Sequence, residues 1–344
     1  MAKFLCAEIQ VAGFEFWQAE QVSIEKSWEF LSDTATITLP RGLFRTADSG
    51  SFQNTQLANT IKVGSPVQIK LGYDLNFETE FEGFVTSISP ETPTVIKCED
   101  ANWRLRQTNY TKSWAKISLA ELLDYLLSPL GVAFQAIEDI NLGKFLVKQA
   151  SAYKILSELK EQYGIYSFFK NGQLLSGFPY QCEPKRIILD YAKNIDPSSR
   201  NSLTYQNEGE HKIKIKATSL QTKGGKIEYE TGDEDGELRT FAANVNLSLP
   251  ELKRITDEKI KLYRRNGYRG EVTTFGLPFV EHSDIVEIID LDYPECNGAA
   301  RVDKVSVSWG SNGYRRKVLR IMNSSHREWF VGQHEVNFTR YITS

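Results

Sequence analysis

The sequence predicts an α+β protein that is mostly β, with two related small antiparallel β-barrel domains separated by a small α+β domain. Three observations predict it. Apolar and polar residues alternate with period two near both ends of the chain, the mark of strands with one face on a core. In the middle the apolar spacing changes to three and four, the helical period. A short series of strands near the start also recurs near the end. The 344 residues suffice for two or three domains at roughly 150 residues each.

In the first region, Val22 and Ile24 alternate with Ser23 and Glu25, and Ala35, Ile37 and Leu39 alternate with Thr34, Thr36 and Thr38. Pro40-Arg41-Gly42 closes that run, and a polar loop covers residues 48–59. Strands follow at Val67 to Leu71, Phe81 to Ile88 and Thr94 to Cys98, with turns at Gly72-Tyr73-Asp74 and Ser89-Pro90-Glu91. Residues 1–110 form the first β-barrel on this reading.

Residues 111–200 form the α+β domain. Ser118-Leu119-Ala120-Glu121 is a capping box, and Leu119, Leu122, Leu123, Leu126, Leu127 and Leu130 follow at helical spacing, with Pro129-Leu130-Gly131 ending the element. A second helix starts near Ser151 with Ala152, Ile155, Leu156, Leu159 and Tyr163 on one face and stops at Gly164. A strand at Tyr166 to Phe169 turns at Asn171-Gly172.

Residues 201–325 form the second β-barrel with one helix. Ile213, Ile215 and Ala217 alternate with Lys212, Lys214 and Lys216. Gly224-Gly225 and Thr231 to Gly236 read as hairpin turns on one ribbon. Ser248-Leu249-Pro250-Glu251 caps a helix running to Asn266-Gly267, and strands follow at Ile285 to Ile289, Arg301 to Ser308 and Arg316 to Ile321. The runs 63–100 and 280–321 share one strand order, so they should superpose with Val67 on Val286 and Val85 on Val302.

Composition excludes several functions. Forty-one basic against 44 acidic residues leave a net charge of −3, which argues against a dedicated nucleic-acid binder. Met1 to Val11 lacks the apolar core of a signal peptide, and no stretch approaches 18 apolar residues, so a cytoplasmic origin without membrane anchoring is expected. Cys6, Cys98, Cys182 and Cys296 form no CxxC pair and read as buried free thiols. His211, His282, His326 and His334 show no metal-ligand spacing. Asp290-Leu291-Asp292 and Asp233-Glu234-Asp235 lack the rest of a calcium loop and read as solvated turns.

Phosphate-binding glycine motifs and a GxSxG elbow are absent. The expectation is therefore no catalytic residue, no cofactor and no metal, although the acidic residues leave a glycosidase-type carboxylate pair open. Lys253-Arg254 and Arg264-Arg265 mark a solvated helix face or a contact with an acidic partner subunit.

Three segments carry a resemblance. The first is Val63-Gly64-Ser65-Pro66-Val67-Gln68-Ile69, followed by Phe81-Glu82-Gly83-Phe84-Val85, Cys98-Glu99-Asp100 and Leu105. The second runs from Ser118 to Leu123, through Gly131-Val132 and Ala150 to Leu156, to Tyr163-Gly164 and Asn171-Gly172-Gln173-Leu174. In the third, Gly276-Leu277-Pro278 precedes Asp284 to Ile288, and Trp309 and Gly313-Tyr314-Arg315-Arg316 lead into the last strand. Together they resemble the baseplate hub proteins of contractile phage tails, the Mu-type tail hub and late control protein D-like chains, and the N-terminal part of type VI secretion spike proteins.

That resemblance implies a structural, non-enzymatic virion protein assembled in the bacterial host cytoplasm. It implies a homotrimeric ring that joins a six-fold tail tube, or its initiator proteins, to a separate three-fold spike protein, with DNA passing through. No OB-fold, spike or lysozyme domain is expected on this chain. Thr256 and Lys259 stand where the family carries small residues. The alternatives are a hub of a type VI or tailocin-like apparatus, or a β-scaffold carbohydrate-active enzyme. The segment 326–344 is rich in apolar residues, and Trp329, Phe330, Val336, Phe338 and Tyr341 are candidate docking residues, either onto the chain's own domain or onto a neighbouring subunit or the spike. Val336 and Phe338 alternate with Asn337 and Thr339, as in a strand.

Overall fold

The computed structural model describes residues 4–17, 19–40, 44–46, 52–53, 61–89, 93–206, 212–221, 224–243, 246–261, 267–294 and 297–322. The segment 326–344, with all five candidate docking residues, lies outside the described residues, as do Cys296, His211, Arg264 and Arg265.

The chain begins with β1 (Leu5–Val11), β2 (Phe14–Phe16), β3 (Gln21–Ser27), β4 (Thr34–Leu39), β5 (Phe44–Thr46), β6 (Phe52–Gln53), β7 (Pro66–Tyr73), β8 (Asn76–Ile88) and β9 (Thr94–Glu99). After α1 (Asn102–Leu105) come β10 (Asn109–Ser118), α2 (Leu119–Leu127), β11 (Phe134–Ala136), β12 (Asn141–Ser151), α3 (Ala152–Tyr163), β13 (Tyr166–Lys170) and β14 (Gln173–Gly177). The last part holds β15 (Arg186–Asp190), β16 (Leu203–Gln206), β17 (Ile213–Leu220), β18 (Lys226–Gly232), β19 (Glu237–Ala243), α4 (Leu249–Lys261), β20 (Gly267–Phe275), β21 (Ile285–Ile289), β22 (Gly298–Gly310) and β23 (Gly313–Met322). The class is α+β and mostly β, as the alternation predicts.

Local chemistry sets the helices where the sequence places them. Ser118 accepts from the Glu121 amide while Glu121 reaches back to the Ser118 amide at 2.9 Å, so the capping box is closed at both ends. Ser151 caps α3, which ends at Gly164 in the left-handed region (φ 66°). Asn171 and Gly172, both at positive φ, make the two-residue turn between β13 and β14.

The repeat extends to its irregularities. Val67 faces Gly83 and Val286 faces Ala300, so Val85 and Val302 each stand two residues further on. The next residue bulges in both copies. Pairing steps from Val85–Cys98 to Ser87–Lys97 and from Val302–Arg320 to Lys304–Leu319, which leaves Thr86 and Asp303 as the extra residues. The Val85 amide donates to the Ser65 carbonyl at 2.9 Å, and the Val302 amide to that of Asp284 at 2.8 Å. Gly64 and Ser283 occupy the matching turn position at φ 87° and 65° and donate to the Val85 and Val302 carbonyls. Further out, Thr34 lies between Glu99 and Glu25 as Arg269 lies between Ile321 and Thr204. Each copy is thus five strands: β3, β4, β7, β8 and β9 in one, and β16, β20, β21, β22 and β23 in the other. They differ at one flank, where β1 runs antiparallel to β7 but β15 runs parallel to β21.

Both copies lie in one 15-stranded sheet over one core, which takes in Ile24, Ile37, Ile69 and Val85 from the first and Val286, Val302, Val307 and Val318 from the second. A separate core serves the middle domain around Leu122, Leu126, Ile155 and Leu159. Residues 213–261, grouped with the second β region in the sequence, bury Ala217, Leu247, Leu252 and Ile255 in that middle core.

Gly224 and Gly225 lie in the connection from β17 to antiparallel β18, as expected of a hairpin. The 231–236 turn is not a second hairpin. It crosses the start of β17 and sets β19 parallel to β17 on the opposite edge. Glycine is needed there because a Cβ on Gly232 would stand 2.3 Å from the Ile213 carbonyl oxygen, and one on Gly236 would stand 2.5 Å from the Ile213 carbonyl carbon. On α4, Thr256 is buried and donates to the Leu252 carbonyl at 2.6 Å. Lys259 lies 4.0 Å over the Phe241 ring and donates to the Glu161 carbonyl, and burial lowers its pKa. α4 therefore packs with these larger residues in place.

Candidate assembly interface

The most informative geometry is the junction between the two repeats. Edge strand β3 of the first pairs antiparallel with β22 of the second, over seven residues from Gln21–Gly310 to Ser27–Lys304. β22 can accept it because β21 covers only its first residues, 298–301, on that side. Alternation of Val22 and Ile24 with polar residues fixes the register, since a one-residue slip would turn both side chains out of the core.

Polar groups close the end of this junction. The Trp28 indole N–H donates to Asp303 Oδ1 at 3.1 Å and Ser27 Oγ donates to the Asp303 carbonyl at 3.0 Å, so the bulge residue of the second repeat holds the first. Trp28 meets Tyr166 of the middle domain edge-on at 4.9 Å. Lys170, on β13, donates to Asp284 Oδ1 at 2.9 Å and to Ser283 Oγ at 3.0 Å. Lys26 pairs with Glu281 at 3.3 Å. The Arg316 guanidinium and the Tyr314 hydroxyl both reach Glu80 Oε1, and all three side chains are buried.

One knot at this junction looks catalytic. Asp33, Asp100 and His282 are all buried, with His282 Nε2 3.9 Å from Asp33 Oδ2. Burial, then the charge of Asp100, pushes the Asp33 carboxyl well above its ordinary range. Burial raises Asp100 to about 7, against hydrogen bonds from the Asp33 and Asn102 amides. Burial and the charges of Lys26 and Lys170 lower His282 to about 3. A neutral imidazole beside two carboxyls favouring their protonated forms holds little charge, which lets the knot sit inside the fold. Its bonds are structural: Asp33 accepts from the Ser27 amide and Asp100 caps the Asn102 amide.

The other candidates resolve into local structure. Cys6, Cys98 and Cys182 are free and buried. Asp290 accepts from the amides of Asp292 and Tyr293, a self-closed turn. Asp233 accepts from the Ile213 amide and Asp235 pairs with Lys212. Among the described residues no group of three or more His, Cys, Asp or Glu is placed to hold a metal ion, and no helix is long and apolar enough to cross a membrane.

The second repeat leaves the counterpart of this junction open. Among the described residues its edge strand β16, equivalent to β3, pairs on one side only, with β20. On β8, Ser87 and Ile88, equivalent to Lys304 and Val305, the first of the β22 residues that receive β3, lie beyond the end of its pairing with β7. Among the described residues, one chain therefore carries the donor edge of this junction at one end and its acceptor at the other.

No family model and no curated protein matches the sequence. Solved structures do match the fold. A tail protein from Neisseria meningitidis MC58 aligns with TM-score 0.67 at 13% identity, over 94% of this chain and 98% of the other. This is the tail-protein fold. The 43 kDa tail protein of prophage MuSo2 from Shewanella oneidensis aligns with TM-score 0.62 at 15% identity, covering 92% and 98%. An E. coli component of the type VI secretion system, described as structurally similar to T4 bacteriophage tail proteins, aligns with TM-score 0.54 at 10% identity, covering 92% and 77%. The resemblance read from three stretches of sequence thus holds across nearly the whole tail-protein fold.

Proposed function

We propose that this chain is a structural baseplate hub of a phage or prophage contractile tail. Three copies close into a ring that joins a six-fold tail tube to a separate three-fold spike. The observation that carries the reading is the repeated junction: β3 on β22 within the chain, with β16 and the end of β8 left as the same pair of surfaces. A head-to-tail contact between unlike surfaces forms a ring when its rotation closes. Each chain contributes two quasi-equivalent repeats, so three chains present six to the tube while keeping three-fold symmetry for the spike. The role is mechanical, and the polar contacts that cross between the repeats, Trp28 on Asp303 and Arg316 on Glu80, serve to hold them together.

Light scattering on the purified protein should give three chain masses, and electron microscopy a ring with a central channel. Prolines placed singly at Thr204 and Tyr205 test the edge. Successive residues of a strand point their amides to opposite sides, so one of the two faces the open edge of β16. That variant should remain folded by circular dichroism and run as a single chain. A wild-type protein that stays monomeric at high concentration overturns the ring.

A further inference from the structure

A second open edge lies on β8, distinct from the one used in the ring. β7 pairs with residues 76–84 of β8, whereas β9 reaches only Phe84–Ile88 on the other side. Among the described residues no backbone hydrogen bond leaves Phe77–Gly83 on the side away from β7. Because Val85 exchanges both its bonds on the β7 side, alternation turns the N–H and C=O of Glu82 outward.

A trough of about 890 Å³ runs beside this edge. Its lining includes every residue from Phe77 to Phe84. Successive side chains of a strand point to opposite faces, so a cavity touching all eight flanks the edge of the strand as well as a face. Phe169, Phe279 and Glu281 line it from elsewhere in the fold. Glu80 is the bulge residue of β8, where pairing steps from Ile69–Phe81 to Lys70–Thr79. It is fully buried and lines the trough, and its Oε2 has no hydrogen-bond partner while Oε1 takes both Tyr314 and Arg316. The site thus combines an unpaired strand edge, aromatic walls and a spare buried acceptor, the requirements for adding an extended strand.

We propose that residues 334–342 of this chain add to the β8 edge in this trough. The length of chain permits it. Arg316 touches Glu80, and Met322 lies six residues along β23 from Arg316, roughly 20 Å at the rise of a strand. The eleven residues 323–333 span roughly 35 Å when extended, enough to return. The pattern fits as well. Val336 and Phe338 alternate with Glu335, Asn337 and Thr339, so a strand there sets one apolar row on the aromatic walls and one polar row outward. The addition covers an edge that would otherwise template aggregation. It does not depend on the ring, since the same chain or a neighbour can supply the strand.

Hydrogen exchange on the full-length protein tests this. Peptides covering 77–83 and 334–342 should both be protected, and Phe338→Asp should release both together. Glu82→Pro removes the outward amide of β8 without touching its bonds to β7. It should raise exchange in 334–342 at least tenfold while β7 stays protected, and Glu82→Ala should leave 334–342 protected. A photo-crosslinker at position 338 should capture residues 77–84, and the product mass tells one chain from two. Exchange of 334–342 at the rate of a free peptide in the wild type, protection that survives Glu82→Pro, or crosslinks only elsewhere would each overturn the proposal.

Discussion

Arg316 and Glu80 form an ion pair between the two repeats at a place where neither side chain has any exposure to water. The Arg316 fork is otherwise filled by the carbonyls of Val280 and Gly276, at 2.8 and 3.3 Å, and Tyr314 shares the carboxylate. Removing one partner of such a pair strands a buried charge, at a cost of about 3–5 kcal/mol. Arg316→Met and Glu80→Gln should each lower urea-unfolding stability by an amount of that order. The double variant Arg316→Met/Glu80→Leu should lose less than either single one, because it leaves no charge behind. Equal losses in all three would show that the pair is not coupled.

Trp28 and Asp303 provide a second test of the joint between repeats. Phe in place of Trp28 keeps most of the ring packing against Tyr166 and Phe168 but removes the donor to Asp303. A lost buried bond to a charged acceptor costs about 1.5–3 kcal/mol, whereas Trp28→Ala should cost about 3–5 kcal/mol through the cavity it leaves. Because both repeats share one core, unfolding should remain a single transition in each variant, read by circular dichroism.

Much of this architecture was legible because its signals are local. The Ser118–Glu121 box, the Gly164 stop and the Asn171-Gly172 turn each decide a boundary within a few residues. The repeat was visible because the strand order around Val67 and Val85 recurs around Val286 and Val302, although 18 residues separate the first pair and 16 the second. The pairing of β3 with β22 was not legible: alternation in Val22-Ser23-Ile24 says which face is buried, never which strand lies alongside. The packing of Ala217, Leu247, Leu252 and Ile255 into the middle core was not legible for the same reason, since an apolar face does not name the core it joins. The buried polar groups left one missed signal. Arg316 sits in the inward phase of Tyr314, Arg316 and Val318, where a charge needs a buried partner.

Close backbone approach gives a further test at Gly276. A Cβ there would stand 2.0–2.3 Å from ring carbons of Tyr314, the residue that also holds Glu80. Neither ring nor backbone can yield easily, because the Tyr73 hydroxyl donates to the Tyr314 carbonyl and the Gly276 amide donates to that carbonyl as well. Gly276→Ala should therefore destabilise by about 1–3 kcal/mol or more. Gly131→Ala meets no atom within 4 Å and is strained only by its positive φ of 63°, so it should cost less, about 1 kcal/mol. Thermal melts of the two variants check the order.

The buried knot predicts an unusual dependence of stability on pH. Asp100 has a folded pKa raised from 3.8 to about 7, so between those values the unfolded chain releases a proton that the folded chain keeps. Stability from this group is greatest below the unfolded value and declines as pH rises through about 7. Asp33 is raised as well and acts in the same direction. His282 is lowered from 6.5 to about 3, so across that range the unfolded chain binds a proton that the folded chain refuses, and stability rises with pH. The opposing slopes overlap between about pH 4 and 6.5, and partial cancellation should give the wild type a shallow profile there. His282→Gln should unmask the carboxyls, with stability falling steeply from pH 4 to 7. Asp100→Asn should remove one of the two falling contributions, so that Asp33 and His282 oppose each other and the profile turns flat between about pH 4 and 6.5. Urea titrations at half-unit pH steps distinguish these slopes, and parallel profiles for wild type and both variants would show that the knot does not titrate as a unit with folding.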